Sequence, residues 1–183
     1  PIDIDGIWRK SCSETHHTIS SSSRELINNV EVNNSTTIDV NLEYVLGEDS
    51  ADKSLRMCVI DNGRGFKDDQ AFANSWRIAD TIGIGNNNYG MGHKSPAMLN
   101  KDFALCMGTS TDKVADVKLF TAGKNQIPKP KNLTADHKKK ILSKFKGHTF
   151  NITILTPRIF LMPIEYIVDT IISDKTVSCD YTK

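Results

Sequence analysis

The stretch LRMCVIDNGRG, residues 55–65, joins an apolar run to a polar turn that contains two glycines. The apolar run at 55–60 predicts a buried strand. Asp61, directly after it, is well placed to accept a hydrogen bond from an amino group of a ligand. Gly63 and Gly65 would let the backbone turn tightly and approach a flat ring. An ordinary turn is the alternative, because Asn-Gly and Asp-containing turns are common in loops.

Further strand and helix signals lie on both sides of this stretch. Residues 37–46 alternate with the period of a strand, whereas apolar residues within 14–32 recur with the period of a helix. We predict strands at residues 37–46, 55–60, 103–107, 114–120 and 150–155, and helices at about 14–32, 68–78, 93–99 and 164–172. Antiparallel strands with helices gathered between them favour an α+β fold, in which the helices pack on one face of a mostly antiparallel sheet.

The size and composition of the chain suit one globular domain. Its 183 residues include 38% hydrophobic and 25% charged residues, and the formal net charge is +1. We expect a single domain over residues 1–183, with a core at about 14–155 and a helical extension at 156–183. No apolar run approaches the length of a membrane span and no signal peptide is visible, so we expect no membrane partner. Cys58 and Cys106 lie in apolar stretches, which favours buried thiols in a reducing, intracellular compartment.

The sequence RELINN, residues 24–29, places Glu25 and Asn29 four residues apart on the predicted first helix. Side chains with this spacing project together from one side of a helix. The Asn29 oxygen could ligate Mg²⁺, which prefers oxygen ligands, and the Glu25 carboxylate could orient or deprotonate a water molecule. An exposed pair on a surface helix is the alternative for these two residues taken alone.

A glycine-rich turn leads into the predicted helix at residues 93–99. It consists of Tyr89, Gly90, Met91, Gly92, His93 and Lys94. Free backbone N–H groups at the start of a helix bind anions, and the helix dipole reinforces them. Lys94 could add a positive charge for phosphate, and the polar residues 80–88 suit a mobile lid. A flexible loop before a helix is the alternative, and the sequence contains neither a Walker A loop nor the dinucleotide-binding glycine motif.

Together and in this order, these stretches resemble the ATP-binding domain of the GHKL family, which includes gyrase B, the ninety-kilodalton heat-shock chaperone, histidine kinases and MutL. ELINN resembles the first box of the family, DNGRG the second, IGIGNNNYGMGHKS the lid and phosphate turn, and GHTFNI the closing strand. The likeness covers residues 14–155. The YGMGHKS turn is most similar to that of the MORC group, with the heat-shock chaperone as a near alternative. Histidine kinases fit less well, because they generally lack a glutamate at the position of Glu25.

The resemblance implies a Bergerat-type two-layer α/β sandwich that binds ATP and Mg²⁺. It implies that Glu25 is the catalytic base, that Asn29 ligates Mg²⁺ and that Asp61 bonds the adenine amino group. The further nucleotide-binding residues that it implies are Gly63, Gly65, Gly85, Tyr89, Gly90, Met91, Gly92, His93, Lys94 and Thr149. Slow ATP hydrolysis would then drive homodimerisation or lid closure in a DNA-handling, chromatin-handling or chaperone-like protein, nuclear or cytoplasmic.

Two departures from the family pattern keep other functions open. The family often carries an aspartate three residues after the magnesium-binding asparagine, where this chain has Val32. The transducer domain of the family, which supplies a phosphate-contacting lysine in the ATPase branches, would follow residue 183. The alternatives are therefore a non-catalytic, nucleotide-gated binding module and, less favoured, a histidine-kinase catalytic domain.

The segment from Lys124 to Lys146 holds eight lysines and a single acidic residue, Asp136. A basic patch of this kind could bind DNA through its phosphates, and such binding would be sensitive to salt. A solvated loop and helix is the alternative, which we favour.

Overall fold

The computed structural model describes residues 34–46, 53–74, 102–123 and 126–172, together with Gly6, Arg24 and Ile27. Its strands are β1 (Ile38–Leu46), β2 (Lys53–Asp61), β3 (Phe103–Ser110), β4 (Ala115–Gly123), β5 (Gln126–Lys131) and β6 (Thr149–Leu155). Its helices are α1 (Asp69–Asn74), α2 (Ala135–Lys144) and α3 (Ile164–Ile172), with a short 3₁₀ helix at Ile159–Leu161.

The central strand of the sheet is β6, which lies between β2 and β3. The strand order is β1-β2-β6-β3-β4-β5, and every neighbouring pair is antiparallel. An antiparallel sheet with packed helices is an α+β fold, so the expected fold class is confirmed. Although β6 is the last of the described strands in the sequence, it pairs with both β2 and β3. It therefore joins the β1–β2 pair to the β3–β4–β5 meander and brings the end of β2 close to the end of β3.

Most elements follow the sequence pattern. Each of the five predicted strands forms, and α3 has the predicted bounds. The predicted helix at 68–78 corresponds to α1 as far as Asn74, after which the chain lies outside the described residues. Arg24 and Ile27 are helical, but the rest of the predicted helix at 14–32 and all of that at 93–99 lie outside the described part.

Different helices cover the two faces of the sheet. On one face, hereafter the helix face, α2 and α3 pack through residues that include Ile141 and Ile167. The strand residues of this core are Cys58, Ile60, Ala104, Cys106, Val117, Leu119, Phe150, Ile152 and Ile154. On the opposite face, hereafter the Asp61 face, Phe72 of α1 packs against β3 and β4. Asp61 belongs to this second face, because side chains alternate along a strand and its neighbour Ile60 lies in the helix-face core.

The helices therefore do not lie on a single face, which corrects the expectation from the sequence. Every residue from Phe103 to Thr109 of β3 is buried, and a strand buried on both sides needs a layer on each. Phe72 supplies part of the second layer, because it belongs to the same cluster as Leu105 and contacts Phe66 edge-on at a centroid distance of 5.1 Å. A continuous apolar run such as that of β3 is itself typical of a strand with two covered faces.

The lysine-rich segment contains β5 and α2. A helix in this segment was part of the favoured expectation, although without bounds, whereas the strand was not predicted. Among the described strands β5 pairs with β4 alone, and such an edge position tolerates Pro128 and Pro130, which have no N–H to donate. A capping box begins α2: Thr134 accepts a hydrogen bond from the His137 backbone, and the His137 side chain accepts one from the Thr134 backbone. Ile141 is fully buried and fixes this helix on the sheet. The two prolines are untypical of a strand, and the many lysines of α2 leave it with a weak apolar helical pattern.

The cysteines that the structure describes are buried thiols, as expected. Cys58 and Cys106 are free and buried in the helix-face core, and this burial raises the pKa of Cys106 far above its usual value. Cys12 and Cys179 lie outside the described residues. Among the helices that the structure describes, none combines the length and the apolar character needed to cross a lipid bilayer.

Candidate functional site

Three polar residues lie side by side at one end of the sheet, on the Asp61 face. The strand register places Asp61 of β2 opposite Thr149 of β6, and Thr149 opposite Thr109 of β3. All three side chains are buried, and the hydroxyl oxygens of Thr109 and Thr149 are 3.1 Å apart. The antiparallel register thus gathers a carboxylate and two hydroxyls that are far apart in the sequence.

One oxygen of the Asp61 carboxylate accepts two hydrogen bonds from described residues. The Ser35 hydroxyl donates to Oδ1 at 2.9 Å, and the Gly63 backbone N–H donates to the same oxygen at 2.8 Å. None of the described residues donates a hydrogen bond to Oδ2. An ionised carboxylate is a strong acceptor, so Oδ2 can receive a further donor.

Burial dominates the titration of Asp61. Desolvation raises the pKa of this carboxyl above its ordinary value of 3.8, and the hydrogen bonds from Gly63 and Ser35 and the charge of His148 partly oppose that effect. A buried carboxylate destabilises the fold unless it is paired. The hydrogen bonds from Ser35 and Gly63 offset part of this cost at Asp61.

Asn62 fixes the segment that carries Ser35. Its side-chain oxygen accepts hydrogen bonds from the backbone N–H groups of Thr36 and Thr37 at 3.0 and 2.9 Å, and its amide donates to the Thr36 hydroxyl at 2.8 Å. The loop after β2 and the segment before β1 are therefore joined side by side. This contact holds Ser35 in position to donate to Asp61.

The backbone at Gly65 passes directly over the two threonines. Its φ is +64°, and a Cβ at this position would lie 3.0 Å from the Thr109 hydroxyl and 3.2 Å from the Thr149 hydroxyl. Glycine is needed here both for the left-handed backbone and for the close approach. The side of the site next to the threonines is thus formed by backbone rather than by side chain.

A second glycine in the left-handed region shapes the entry to β6. Gly147 has a φ of +84°, and its N–H donates to the carbonyl oxygen of Ser110, while the Ser110 N–H donates to the carbonyl oxygen of His148. These bonds continue the pairing of β3 and β6 past the strand ends. They also hold the His148 ring where its charge lowers the pKa of Asp61.

The structure brings together some of the predicted site residues and does not describe the others. Asp61, Gly63, Gly65 and Thr149 converge on one end of the sheet. Nine predicted residues lie outside the described part of the chain: Glu25, Asn29, Gly85, Tyr89, Gly90, Met91, Gly92, His93 and Lys94. The described residues contain no group of three or more His, Cys, Asp or Glu side chains that could hold a metal ion.

Two further residues of the site escaped the sequence analysis. Ser35 bonds Asp61, and Thr109 pairs with Thr149. A signal for Ser35 was present: an antiparallel pairing of the strands at 37–46 and 55–60 brings the start of the first beside the end of the second. Thr109 carries no local signal, because its place depends on the pairing of β3 with β6, which are 38 residues apart between their nearest ends.

The lysines of α2 are largely engaged within the domain. Lys138 lies 3.1 Å from Asp116 of β4, and Lys140 lies 3.1 Å from Asp136 one turn earlier on the same helix. The Lys144 ammonium donates to the carbonyl oxygen of Ile172 at the end of α3. These contacts favour a solvated structural helix over a free basic surface.

The site can recognise a flat polar group chemically. It offers a buried carboxylate oxygen as acceptor, two hydroxyls and a close-lying stretch of backbone. No protein-family model and no curated protein matches this chain.

Proposed function

We propose that this chain is an ATP-binding domain of the GHKL type, with a Bergerat-type α/β sandwich, and that it binds Mg-ATP and hydrolyses it slowly. The observation that carries the proposal is the convergence of Asp61, Gly65 and Thr149 at one end of the sheet. The resemblance in the sequence assigns these residues to the adenine end of a nucleotide site from motifs that are separated along the chain. Their meeting is what a shared role in binding one ligand requires.

The chemistry of the base supports the same proposal. Adenine carries an exocyclic amino group, which can donate to the Oδ2 atom of ionised Asp61. Guanine carries a carbonyl oxygen at the equivalent position, and this oxygen would oppose the carboxylate. The Thr149 hydroxyl can donate to a ring nitrogen, and Gly65 lets the ring approach the backbone. The site is therefore suited to adenine in preference to guanine.

The triphosphate end of the proposal rests on the sequence. Asn29 would hold Mg²⁺, Glu25 would orient a water molecule, and the backbone of Gly85, Gly90 and Gly92 with Lys94 would hold the phosphates. A bound magnesium ion neutralises phosphate charge and so favours attack by water. Hydrolysis would require these groups in addition to the proposed adenine end.

The output of ATP binding would be homodimerisation or lid closure. ATP and ADP are the direct partners, and a DNA-handling, chromatin-handling or chaperone-like process is the setting that the resemblance favours. The free, buried thiols of Cys58 and Cys106 suit a reducing compartment, nuclear or cytoplasmic.

Calorimetric titration with ATP and Mg²⁺ tests the adenine end. We expect the wild-type chain to bind ATP more tightly than GTP, and Asp61→Asn to lower the ATP affinity about 10- to 100-fold, because a hydrogen bond to a charged acceptor is lost. The variant keeps a side-chain oxygen that can accept the hydrogen bonds from Ser35 and Gly63, so we expect it to fold. A loss of affinity would then report on the contact with ATP. Unchanged ATP affinity in Asp61→Asn would remove the adenine assignment.

Phosphate release separates the enzyme from the binding module. We expect Glu25→Ala to retain nucleotide and to stop release. A wild-type chain that binds Mg-ATP but releases no phosphate, even as part of its longest natural form, would support the non-catalytic alternative. Labelling of the protein by ATP would instead favour the kinase.

A further inference from the structure

A column of polar side chains runs along β6 on the Asp61 face. It consists of Thr149, Asn151 and Thr153, which alternate with the apolar residues of the helix face. Same-face neighbours on a strand lie about 6.8 Å apart. The column therefore starts beside Asp61 and continues toward the centre of the sheet, and we call it the β6 polar column.

The inner members of the column have apolar neighbours. The register places Asn151 between Val59 and Met107, and it places Thr153 between Met57 and Leu105. In this setting the Asn151 Oδ1 and Thr153 Oγ1 atoms are buried and have no hydrogen-bond partner in the part of the chain that the structure describes. Thr149 differs from them, because its hydroxyl pairs with Thr109.

Packing alone does not explain these two residues. Buried polar atoms are nearly always paired, and an unpaired one destabilises a fold. Leucine or valine would fill the same positions without that penalty, and the helix face of this strand carries such residues, Ile152 and Ile154. The unpaired atoms begin one step along β6 from Thr149, at the edge of the candidate site. This placement points to a ligand that supplies the missing partner.

We propose that Asn151 is a base-recognition residue, whose unpaired Oδ1 accepts a hydrogen bond from the amino group of the bound adenine and whose NH₂ group can donate to a ring nitrogen. The inference rests on the proposed function and extends its site by one residue along β6. The ionised Asp61 carboxylate accepts hydrogen bonds but cannot donate them, whereas an amide does both. Asp61 and Asn151 together can recognise an edge of the base that presents both an amino group and a ring nitrogen, whereas a carboxylate alone can accept only from the amino group.

Asn151→Leu tests the assignment against Thr121→Val. Thr121 of β4 also has a buried, unpaired hydroxyl, but its register partner Ala104 belongs to the helix-face core. Both substitutions remove an unpaired polar atom, so both should raise the melting temperature of the chain without nucleotide. We expect only Asn151→Leu to weaken ATP binding, by about tenfold, in calorimetry with Mg-ATP.

Three ATP analogues that each replace one ring nitrogen by carbon locate the contact. One analogue should bind the wild type more weakly than ATP and bind Asn151→Leu as well as ATP does, which is the coupling expected of groups in contact. If the amino group is the partner, purine riboside triphosphate, which lacks it, should show that coupling instead. Absence of coupling for all four analogues overturns the assignment.

Binding of Mg-ATP by the wild type and by the two variants distinguishes a failure of the proposed function from a failure of the role of Asn151. No binding of Mg-ATP by the wild type removes both. Binding that Asp61→Asn weakens and Asn151→Leu leaves unchanged removes the role of Asn151 alone. If Asn151→Leu does not fold, the side-chain amide resonances of Asn151 in the wild type decide the question, because they should shift on addition of ATP and stay in place if the residue is outside the site.

Discussion

The two sides of β6 differ in the polarity of the side chains that they present. Toward the helix face the strand presents Phe150, Ile152 and Ile154, all within one apolar core. Toward the Asp61 face it presents Thr149, Asn151 and Thr153, followed by the apolar Leu155. Asn151 and Thr153 have buried polar atoms with no partner among the described residues. Because these residues alternate along one strand, they share its backbone conformation, and the two sides differ only in their side chains. One side of the strand packs into the apolar core, and the other carries the polar residues to which we assign recognition in our proposal.

The helix face shows close and complementary packing. The Phe150 ring stacks on Phe145 at a centroid distance of 4.4 Å and an interplanar angle of 27°. Gly108 of β3 makes room for this ring, because a Cβ there would lie 2.2 Å from Phe150 Cζ. The Asp61 face combines the apolar cluster around Phe72 with a desolvated carboxylate and with polar atoms that have no partner among the described residues, and these polar groups reduce stability.

The largest effect in this comparison is expected for Phe150→Ala. Removal of this buried ring leaves a cavity under α2 and should lower the free energy of unfolding by about 3–5 kcal/mol. Denaturation in urea measures the change. Thr153→Val on the other side of the same strand is the control, and it should leave stability equal or higher. Similar losses for the two variants would contradict the division of roles between the faces.

A smaller effect is expected for Gly65→Ala, with Gly147→Ala as its match. Both glycines have a left-handed backbone, so alanine should cost about 1–2 kcal/mol of folding free energy at either position. Only at Gly65 does the new Cβ also crowd the hydroxyls of Thr109 and Thr149, whereas no atom lies within 4 Å of the position at Gly147. Gly65→Ala should therefore be the less stable variant and should alone lose ATP affinity. Equal stability and equal binding in the two would show that Gly65 forms no wall of the site.

The difference between the faces also explains how far the sequence could predict this structure. Alternation of apolar and polar residues identified β1, and apolar runs identified β2, β3, β4 and β6. The DNGRG turn after a predicted strand indicated Asp61 and Gly65, and the resemblance to the GHKL motifs added Thr149. The pairing of Thr109 with Thr149 could not be predicted, since it depends on register between strands that are distant in sequence. The unpaired state of Asn151 likewise depends on its neighbours Val59 and Met107, which only the assembled sheet defines.

The lysine-rich segment shows the opposite limit of prediction. Its composition indicated a polar region, and the segment from Lys124 to Lys146 does carry exposed lysines such as Lys139 and Lys140. Yet Ile141 alone of the α2 residues is fully buried, so the periodic apolar signal was too weak to define the helix. The Thr134 capping box was the stronger local signal, although His137 occupies the position where Glu or Gln is usual.

Unlike Phe150→Ala and Gly65→Ala, the substitution Asp61→Asn should stabilise the chain relative to the wild type as the pH rises. Burial raises the pKa of this carboxyl, so the folded chain binds its proton more tightly than the unfolded chain does. The favourable contribution of this group is complete below its unfolded pKa of 3.8 and is lost as the pH rises through the raised folded value. Asp61→Asn should therefore gain stability over the wild type as the pH rises from about 4 to 7, in denaturation measured at each pH. A stability difference between the variant and the wild type that stays constant over this pH range, or that changes in the opposite direction, would contradict the desolvation of Asp61.

The smallest effect is expected on the outer surface of α2. Lys138 pairs with Asp116 while about two fifths of its side chain is exposed, so Lys138→Met should lower the free energy of unfolding by at most about 1 kcal/mol. Lys139→Met is the control, because Lys139 is exposed and the described residues offer it no ion pair. The difference between them should shrink in high salt. A loss comparable with that of Phe150→Ala would mean that the ion pair, and not the apolar core, fixes α2 on the sheet.

A crystal structure of the chain with Mg²⁺ and a non-hydrolysable ATP analogue tests the central claim most directly. We expect the adenine amino group within hydrogen-bonding distance of Asp61 Oδ2, with the ring beside Gly65 and Thr149 and an edge against Asn151. A nucleotide bound elsewhere, or a base that leaves Asp61 without contact, would contradict the claim that this end of the sheet recognises adenine.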